Sequence, residues 1–381
     1  MKALTNCTIY TGRDILKGKA VLLKDGKITD IVGHDALPSD LQTVDLQGAI
    51  LAPGFIDLQI NGCGGRMFND DISEETLHVM CRTTLQTGCT GFLPTLISAS
   101  DADMHKAMEV VSRYRSKHPE NVLGLHMEGP YLNSARSGIH SPSMIRSADE
   151  DMLSCIARYG KDVVRLCTVA PECLSPQQIE ELVRAGIRIA AGHSAVSCSV
   201  ARECFRTGIA MSTHLFNAME PLTGRSPGLV GAIFLERPWT GIIADGIHVA
   251  WENVQLAKRI LGEKLFCVTD ATAAMGSAIS EFNFGGHKVV LKEGRCTSSD
   301  GTIGGSVLTM DTAVRNCTSQ AGFALEEALR MASLYPAQAI GLDAEYGRIA
   351  PGYWADMVVL SKDIQVRSVF KRGQHISTVE N

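Results

Sequence analysis

Four side chains in this 381-residue chain are of the types that metal-assisted hydrolysis uses, each where an apolar run ends. Glu128 closes Leu125-His126-Met127-Glu128-Gly129-Pro130. His193 lies in Ala190-Ala191-Gly192-His193-Ser194, and His214 in Ser212-Thr213-His214-Leu215-Phe216-Asn217. Two imidazoles and one carboxylate can hold a divalent metal and leave coordination open for water. Asp270, in Cys267-Val268-Thr269-Asp270-Ala271, is the fourth. A carboxylate beside such a site can take a proton from water and return it to a leaving group. No short motif links the four. Singly, a buried histidine is more often a satisfied core group than a ligand, and an aspartate at a strand end can simply cap the next segment. They make a site only if the fold brings them together.

The elements around them supply that fold. Strand-like runs at 55–60, 91–97, 122–127, 164–169, 187–191, 210–215, 241–244 and 265–269 alternate with helix-like runs at 73–87, 101–116, 175–185, 196–207 and 252–261. Eight β-then-α units predict a distorted (β/α)8 TIM-type barrel over residues 53–345. A doubly wound sheet is the alternative, but no G-x-G-x-x-G opens a helix. Helices resume at 309–321, 324–333 and 336–340, with an inserted hairpin expected at 282–296. Residues 1–52 and 346–381 are short strand runs with turns at Asp25-Gly26, Pro53-Gly54, Pro351-Gly352 and Arg372-Gly373, which predict one small β-sandwich domain built from both ends. In a barrel, catalytic groups gather at the C-terminal rim. The polar residues expected there are Gln59, Asn61, Thr95, His126, Glu128, Glu172, His193, His214, His248 and Asp270. His126 shares a strand face with Glu128, as a partner of the site or as a core group.

Composition narrows the function. With 45% hydrophobic and 20% charged residues, the chain can bury a large core and is no disordered segment. Its net charge of −5 offers no basic excess for a nucleic acid. The 12 cysteines include no CxxC pair, so reduced thiols in a cytoplasmic protein are expected. Met1-Lys2-Ala3-Leu4-Thr5-Asn6 lacks the apolar run of a signal peptide, and no stretch is long and apolar enough to span a bilayer.

Several segments together resemble the amidohydrolase superfamily, and within it the N-acetylglucosamine-6-phosphate deacetylase family. They are Pro53-Gly54-Phe55-Ile56-Asp57-Leu58-Gln59-Ile60-Asn61-Gly62, Leu93-Pro94-Thr95, His126-Met127-Glu128-Gly129-Pro130, Ala191-Gly192-His193-Ser194, Thr213-His214-Leu215-Phe216-Asn217-Ala218-Met219, Ala244-Asp245-Gly246-Ile247-His248 and Val268-Thr269-Asp270-Ala271. The resemblance implies hydrolysis of the N-acetyl amide of N-acetyl-D-glucosamine 6-phosphate to D-glucosamine 6-phosphate and acetate. It implies one divalent metal ion, expected to be zinc, on Glu128, His193 and His214. Many superfamily members carry His-x-His after strand one; here Gln59 and Asn61 stand there, and no lysine ends strand four. Both departures match the family's bacterial mononuclear branch, with Gln59 approaching the metal through water.

The same resemblance makes Asp270 the proton carrier and His140 the donor to the amide oxygen. It places Ile139, His140, Asn217, Ala218, Arg225, Asp245, His248, Ile303, Gly304 and Gly305 around the substrate. Arg225 and His248 would hold phosphate, with Arg225 reaching a neighbouring subunit in a homodimer or homotetramer. Gly62-Cys63-Gly64-Gly65 is read as a tight turn rather than a ligand loop. Three rivals remain: a cyclic-amide hydrolase, which would want a binuclear site; a deacetylase for the galactosamine epimer; and an inactive barrel that serves as a binding protein.

Overall fold

Strand order in the barrel sheet follows chain order. Phe55–Ile60, Cys89–Ile97, Leu125–Glu128, Val164–Val169, Arg188–Ala191, Met211–Ser212, Trp239–Ile242 and Leu265–Cys267 each bond to the next in a computed structural model that describes residues 1–38 and 40–377. The first four strands are buried along their whole length, as expected of a sheet covered on both faces. Backbone bonds carry the ring past its last strand. Asp270 N–H donates to Gln59 O at 2.9 Å, and Asn61 N–H donates to Ala271 O at 2.8 Å. A parallel bridge joins Ile60 to Ala271. This step sets Asp270 beside Gln59 and Asn61, which lie more than 200 residues away in sequence.

A helix follows each strand: Glu74–Gln86, Asp101–Lys117, Glu150–Val163, Pro176–Arg184, Cys198–Thr207, Gly228–Glu236, Trp251–Leu261 and, after an insertion, Met310–Ser319. Two of these are absent from the sequence-based expectation. Gly228–Glu236 reads GLVGAIFLE, which is apolar up to its last residue, Glu236, so it has no polar face to make a 3.6-residue pattern. Glu150–Val163 is interrupted at Gly160, whose φ is 55°, and runs directly into the fourth strand. Its start was marked, since the Asp149 side chain accepts from Met152 N–H. The sixth strand is also shorter than 210–215. The chain leaves extended geometry at His214, whose φ is 23°.

The insertion is a three-stranded antiparallel sheet, Glu281–Phe284, His287–Lys292 and Arg295–Ser298, rather than a single hairpin. Its Phe284, Val289 and Cys296 share a small core with Met67, Ile97, Ile139 and Ala273. Gly285 is required in its turn: a Cβ there would lie 2.1 Å from the carbonyl oxygen of Ile139. Gly62–Cys63 and Arg66–Met67 form a two-stranded ladder around Gly64 and Gly65, the tight turn expected after strand one.

By compactness the chain falls into two units. Residues 58–83 and 92–309 make one; residues 1–57, 84–91 and 310 onward make the other. The second unit holds an eight-stranded sheet from both chain ends, together with the last three helices. Its order runs Gln374–Ser377, Val366–Lys371, Met357–Leu360, Gln42–Pro53, Lys2–Tyr10, Lys19–Lys24 and Lys27–Gly33, with Ile15–Leu16 against Lys2–Tyr10. Lys2–Tyr10 and Gln42–Pro53 pair in parallel; the other pairings are antiparallel. The sheet rolls over until Ala355 N–H meets Gly26 O at 2.9 Å. Leu4, Ile9, Val21, Leu51, Met357, Val359 and Phe370 fill the space inside it.

Candidate active site

Each central residue lies just where its strand stops. Glu128 is the last residue of the third strand; His193, His214 and Asp270 follow the fifth, sixth and eighth. His193, His214 and Asp270 have φ of 49°, 23° and 51°, and Ala218 has 51°. Side chains other than glycine seldom adopt this backbone region, and such strain gathers at functional sites. The turn swings each side chain inward over the barrel mouth.

Glu128, His193 and His214 meet there, all almost fully buried. Glu128 Oε1 lies 3.1 Å from His193 Nε2 and 3.0 Å from His214 Nε2, and the two nitrogens are 3.1 Å apart. Donors around a tetrahedral zinc sit about 3.3 Å apart. His193 Nδ1 faces the carbonyl oxygen of Arg136 at 3.0 Å. That contact places the proton on Nδ1 and leaves the Nε2 lone pair for the cluster. Burial pushes the Glu128 carboxyl up, but the two histidines outweigh it and hold it well below the usual carboxylate range. For His214, burial favours the neutral ring, yet Glu128 raises its affinity for a proton. A centre that draws positive charge to three converging donors suits a cation.

His140 is close enough to form a second possible donor set, with its atom, one from Glu128 and one from His193 within 4.8 Å of each other. Its protonation argues for another use. Ser98 N–H donates to His140 Nδ1 at 3.2 Å, and Ser98 Oγ lies 2.8 Å from the same nitrogen. Nδ1 is therefore an acceptor, and Nε2 carries the hydrogen. Burial first, and His193 second, push His140 down to about 3. It stands as a neutral N–H donor.

Gln59 bridges the two carboxylates. Its Nε2 donates to both Glu128 oxygens at 3.0 and 3.1 Å and to Asp270 Oδ1 at 3.2 Å. Its donor end thus faces the cluster. Asn61 Nδ2 donates to the same Asp270 oxygen at 2.7 Å, a contact to which the sequence assigned no role. Burial and the neighbouring Glu128 charge raise Asp270 to about 6. Beneath them, His126 links Thr95 Oγ1 at 3.1 Å to Thr168 Oγ1 at 2.8 Å, inside the barrel. Burial holds it down to about 4.

One cleft of about 220 Å³ gathers most of the residues singled out in the sequence. Its walls include Glu128, Ile139, His140, His193, His214, Asn217, Ala218, His248, Asp270, Ile303 and Gly305. Asp245 stands behind His248, its Oδ2 2.6 Å from His248 Nδ1 and its Oδ1 accepting from His248 N–H. Burial alone would raise Asp245, but His248 leaves it lowered. His248 Nε2 is buried with no partner among the described residues. Gly304 supports the wall: a Cβ there would press on Ile139 at 2.8 Å. Arg225 is not in the cleft; it sits on the exposed loop 221–227. Ile97, Gly138, Phe284 and Thr302 complete the lining. The sequence carried no polar signal for the apolar ones.

A parallel barrel with this donor set on its C-terminal rim defines a barrel hydrolase of the amidohydrolase type. The model of the Amidohydrolase family matches residues 50–376, and that of the NagA composite domain matches residues 1–51. The chain is 41% identical over 375 residues to N-acetylglucosamine-6-phosphate deacetylase of Haemophilus influenzae, covering 98% of each. It is 38% identical over 337 residues to N-acetylgalactosamine-6-phosphate deacetylase of a Shewanella species, covering 88% of this chain and 85% of that one. The crystal structure of N-acetylglucosamine-6-phosphate deacetylase from Pasteurella multocida superposes with a TM-score of 0.97 at 41% identity, covering 99% of each chain. The chain belongs to the amidohydrolase family, and within it to the N-acetylglucosamine-6-phosphate deacetylases.

Proposed function

We propose that this enzyme hydrolyses the N-acetyl amide of N-acetyl-D-glucosamine 6-phosphate, releasing D-glucosamine 6-phosphate and acetate in amino-sugar metabolism. The observation that carries the reading is the convergence of Asp270, His140 and the Glu128–His193–His214 triangle on one cleft. Glu128, His193 and His214 would hold one divalent ion, which we take to be zinc from the mixed imidazole and carboxylate donors. When bound, such an ion acidifies water and polarises a carbonyl oxygen.

Asp270 accepts the proton of the attacking water and delivers it to the amine as the C–N bond breaks. Its raised affinity for a proton suits both halves of that task. Gln59 and Asn61 hold Asp270 through the Oδ1 oxygen, leaving Oδ2 for the proton. His140 Nε2–H donates to the amide oxygen as negative charge develops. Asn217, Ala218 and His248 hold the sugar phosphate farther along the cleft. His248, held at Nδ1 by Asp245, would turn its Nε2, which has no partner among the described residues, to the phosphate. Binding at that remote end positions the amide.

Arg225 lies on an exposed loop outside its own cleft. That placement supports a phosphate contact in a neighbouring copy, and so a homodimer or homotetramer. Cytoplasmic residence is supported by thiols that form no disulfide among the described residues. No helix of the described residues is long and apolar enough to cross a membrane.

The galactosamine epimer is the second reading, because one relative bears that name. Amine release should be measured from N-acetylglucosamine 6-phosphate, its galactosamine epimer and unphosphorylated N-acetylglucosamine, with metal-loaded and chelator-stripped protein. Fast release from the first, lost on stripping and restored by zinc, is expected. Faster turnover of the epimer would move the assignment to it, and undiminished turnover after verified metal removal would end the metal role.

A further inference from the structure

The loop after the third strand and the loop after the sixth both line the cleft: Gly138, Ile139 and His140 from one, Asn217 and Ala218 from the other. Arg136 spans the two. Its guanidinium donates to the Glu220 carboxylate in a half-buried ion pair. Its carbonyl oxygen is the partner of His193 Nδ1 at 3.0 Å. Two residues on, Gly138 lies between the same histidine and the second loop: a Cβ there would meet His193 Cε1 at 3.5 Å and Ala218 Cβ at 3.9 Å. One residue therefore orients an imidazole through its backbone and ties the substrate loops through its side chain. The arrangement is not the one stability alone would choose. Arg136 Nε is buried with no partner among the described residues, an unfavourable state for a donor.

We propose that Arg136 and Glu220 are positioning residues, a clasp that fixes His193 and holds the two loops at the spacing the phosphorylated sugar requires. This rests on the deacetylase reading for its substrate but not for its effect on His193. Without the ion pair, the segment that carries Asn217 and Ala218 loses its side-chain tie to the first loop and keeps the Ser194 N–H bond to Ala218 O and the bonds of Asn217 to His214, while the bonds that hold Asp270 and His140 are untouched. The loss should therefore fall on substrate capture rather than on chemistry. Loosening the Arg136 segment should also free the His193 ring, as removal of an outer partner does at metal sites.

The test compares Glu220→Gln, Arg136→Lys and Arg136→Ala with the parent protein in three measurements: KM and kcat on N-acetylglucosamine 6-phosphate, the rate at which loaded zinc passes to a chelator, and Tm. Glu220→Gln keeps shape and removes charge, so folding is not at stake. It should raise KM about tenfold and change kcat less than twofold. Arg136→Ala should match that KM and release zinc about tenfold faster; Arg136→Lys should lie between. The double variant Arg136→Ala with Glu220→Gln should add nothing to KM, because both remove one interaction. Unchanged KM and zinc release, or a fall in Tm alone, overturn the proposal. If the parent protein fails on this sugar, the substrate reading fails, and zinc release still decides the clasp.

Discussion

Buried charge is treated differently in the terminal sheet and on the barrel rim. In the terminal sheet, Lys371 and Asp356 are both nearly inaccessible. Lys371 Nζ donates to Asp356 Oδ2 at 2.6 Å and to Thr90 O at 2.7 Å, and Arg372 N–H satisfies Asp356 Oδ1 at 2.7 Å. Opposite charges meet there, and both carboxylate oxygens are used. On the barrel rim two carboxylates, Glu128 and Asp270, share the amide of one glutamine. Around them Asn61 Oδ1, His214 Nδ1 and His248 Nε2 have no partner among the described residues. His193, His214 and Asp270 all have positive φ. Satisfied buried charge holds a fold together; like charges with spare donors and acceptors, held on strained backbone, are poised for a ligand.

Asp270→Asn is the hardest test of that contrast. An asparagine Oδ1 can still accept from Asn61 and Gln59, so the local bonds survive. The like-charge strain against Glu128 disappears. Turnover should fall by about three to four orders of magnitude, the scale of a lost acid–base group. Tm should be unchanged or higher, and bound metal should be retained. A drop in Tm with activity intact would make Asp270 structural, like Asp356.

The opposite outcome is expected from Lys371→Met. Removing one partner of a buried pair strands the other charge, at a cost of about 3–5 kcal/mol. Chemical denaturation should show that loss, while turnover per folded molecule stays as in the parent. A several-fold fall in kcat at full folding would mean that the two charged sites do not divide into structure and chemistry.

Legibility in the sequence followed the same division. Glu128, His193, His214 and Asp270 were recognisable because each polar side chain interrupts an apolar run, which is conspicuous in a buried strand. Asn61 was visible as a polar rim residue but had no assigned partner, since its contact with Asp270 exists only where the ring closes. Ile97 and Phe284 left no trace, because an apolar residue in a cleft wall reads like any core residue. Arg136 was missed for a different reason: its carbonyl contacts His193, and a backbone atom has no sequence signature. The helix Gly228–Glu236 was hidden because it is apolar up to Glu236, whereas Pro176–Arg184 shows the alternation of apolar and charged residues that an amphipathic helix needs.

His140→Ala sharpens the comparison within the rim. It removes the Nε2–H donor and leaves Ser98 N–H without its acceptor. Loss of a donor to a developing oxyanion costs about 10²–10³ in kcat, and the orphaned amide costs about 1–3 kcal/mol of stability. Metal content should not change. A protein that loses bound metal instead would make His140 a ligand, in line with the second donor set.

The smallest expected effect lies at the far end of the cleft. Asp245→Asn keeps a hydrogen-bond acceptor for His248 Nδ1 but removes the carboxylate charge from that contact. Charge-assisted bonds exceed neutral ones by roughly 1 kcal/mol, so KM for the phosphorylated sugar should rise about fivefold to tenfold. The unphosphorylated sugar, which has no anion for His248 to meet, should show the same kcat/KM as with the parent protein. Equal losses on both sugars would mean that Asp245 and His248 only brace the loop. They would then belong with Asp356 and Lys371, as charge buried for structure.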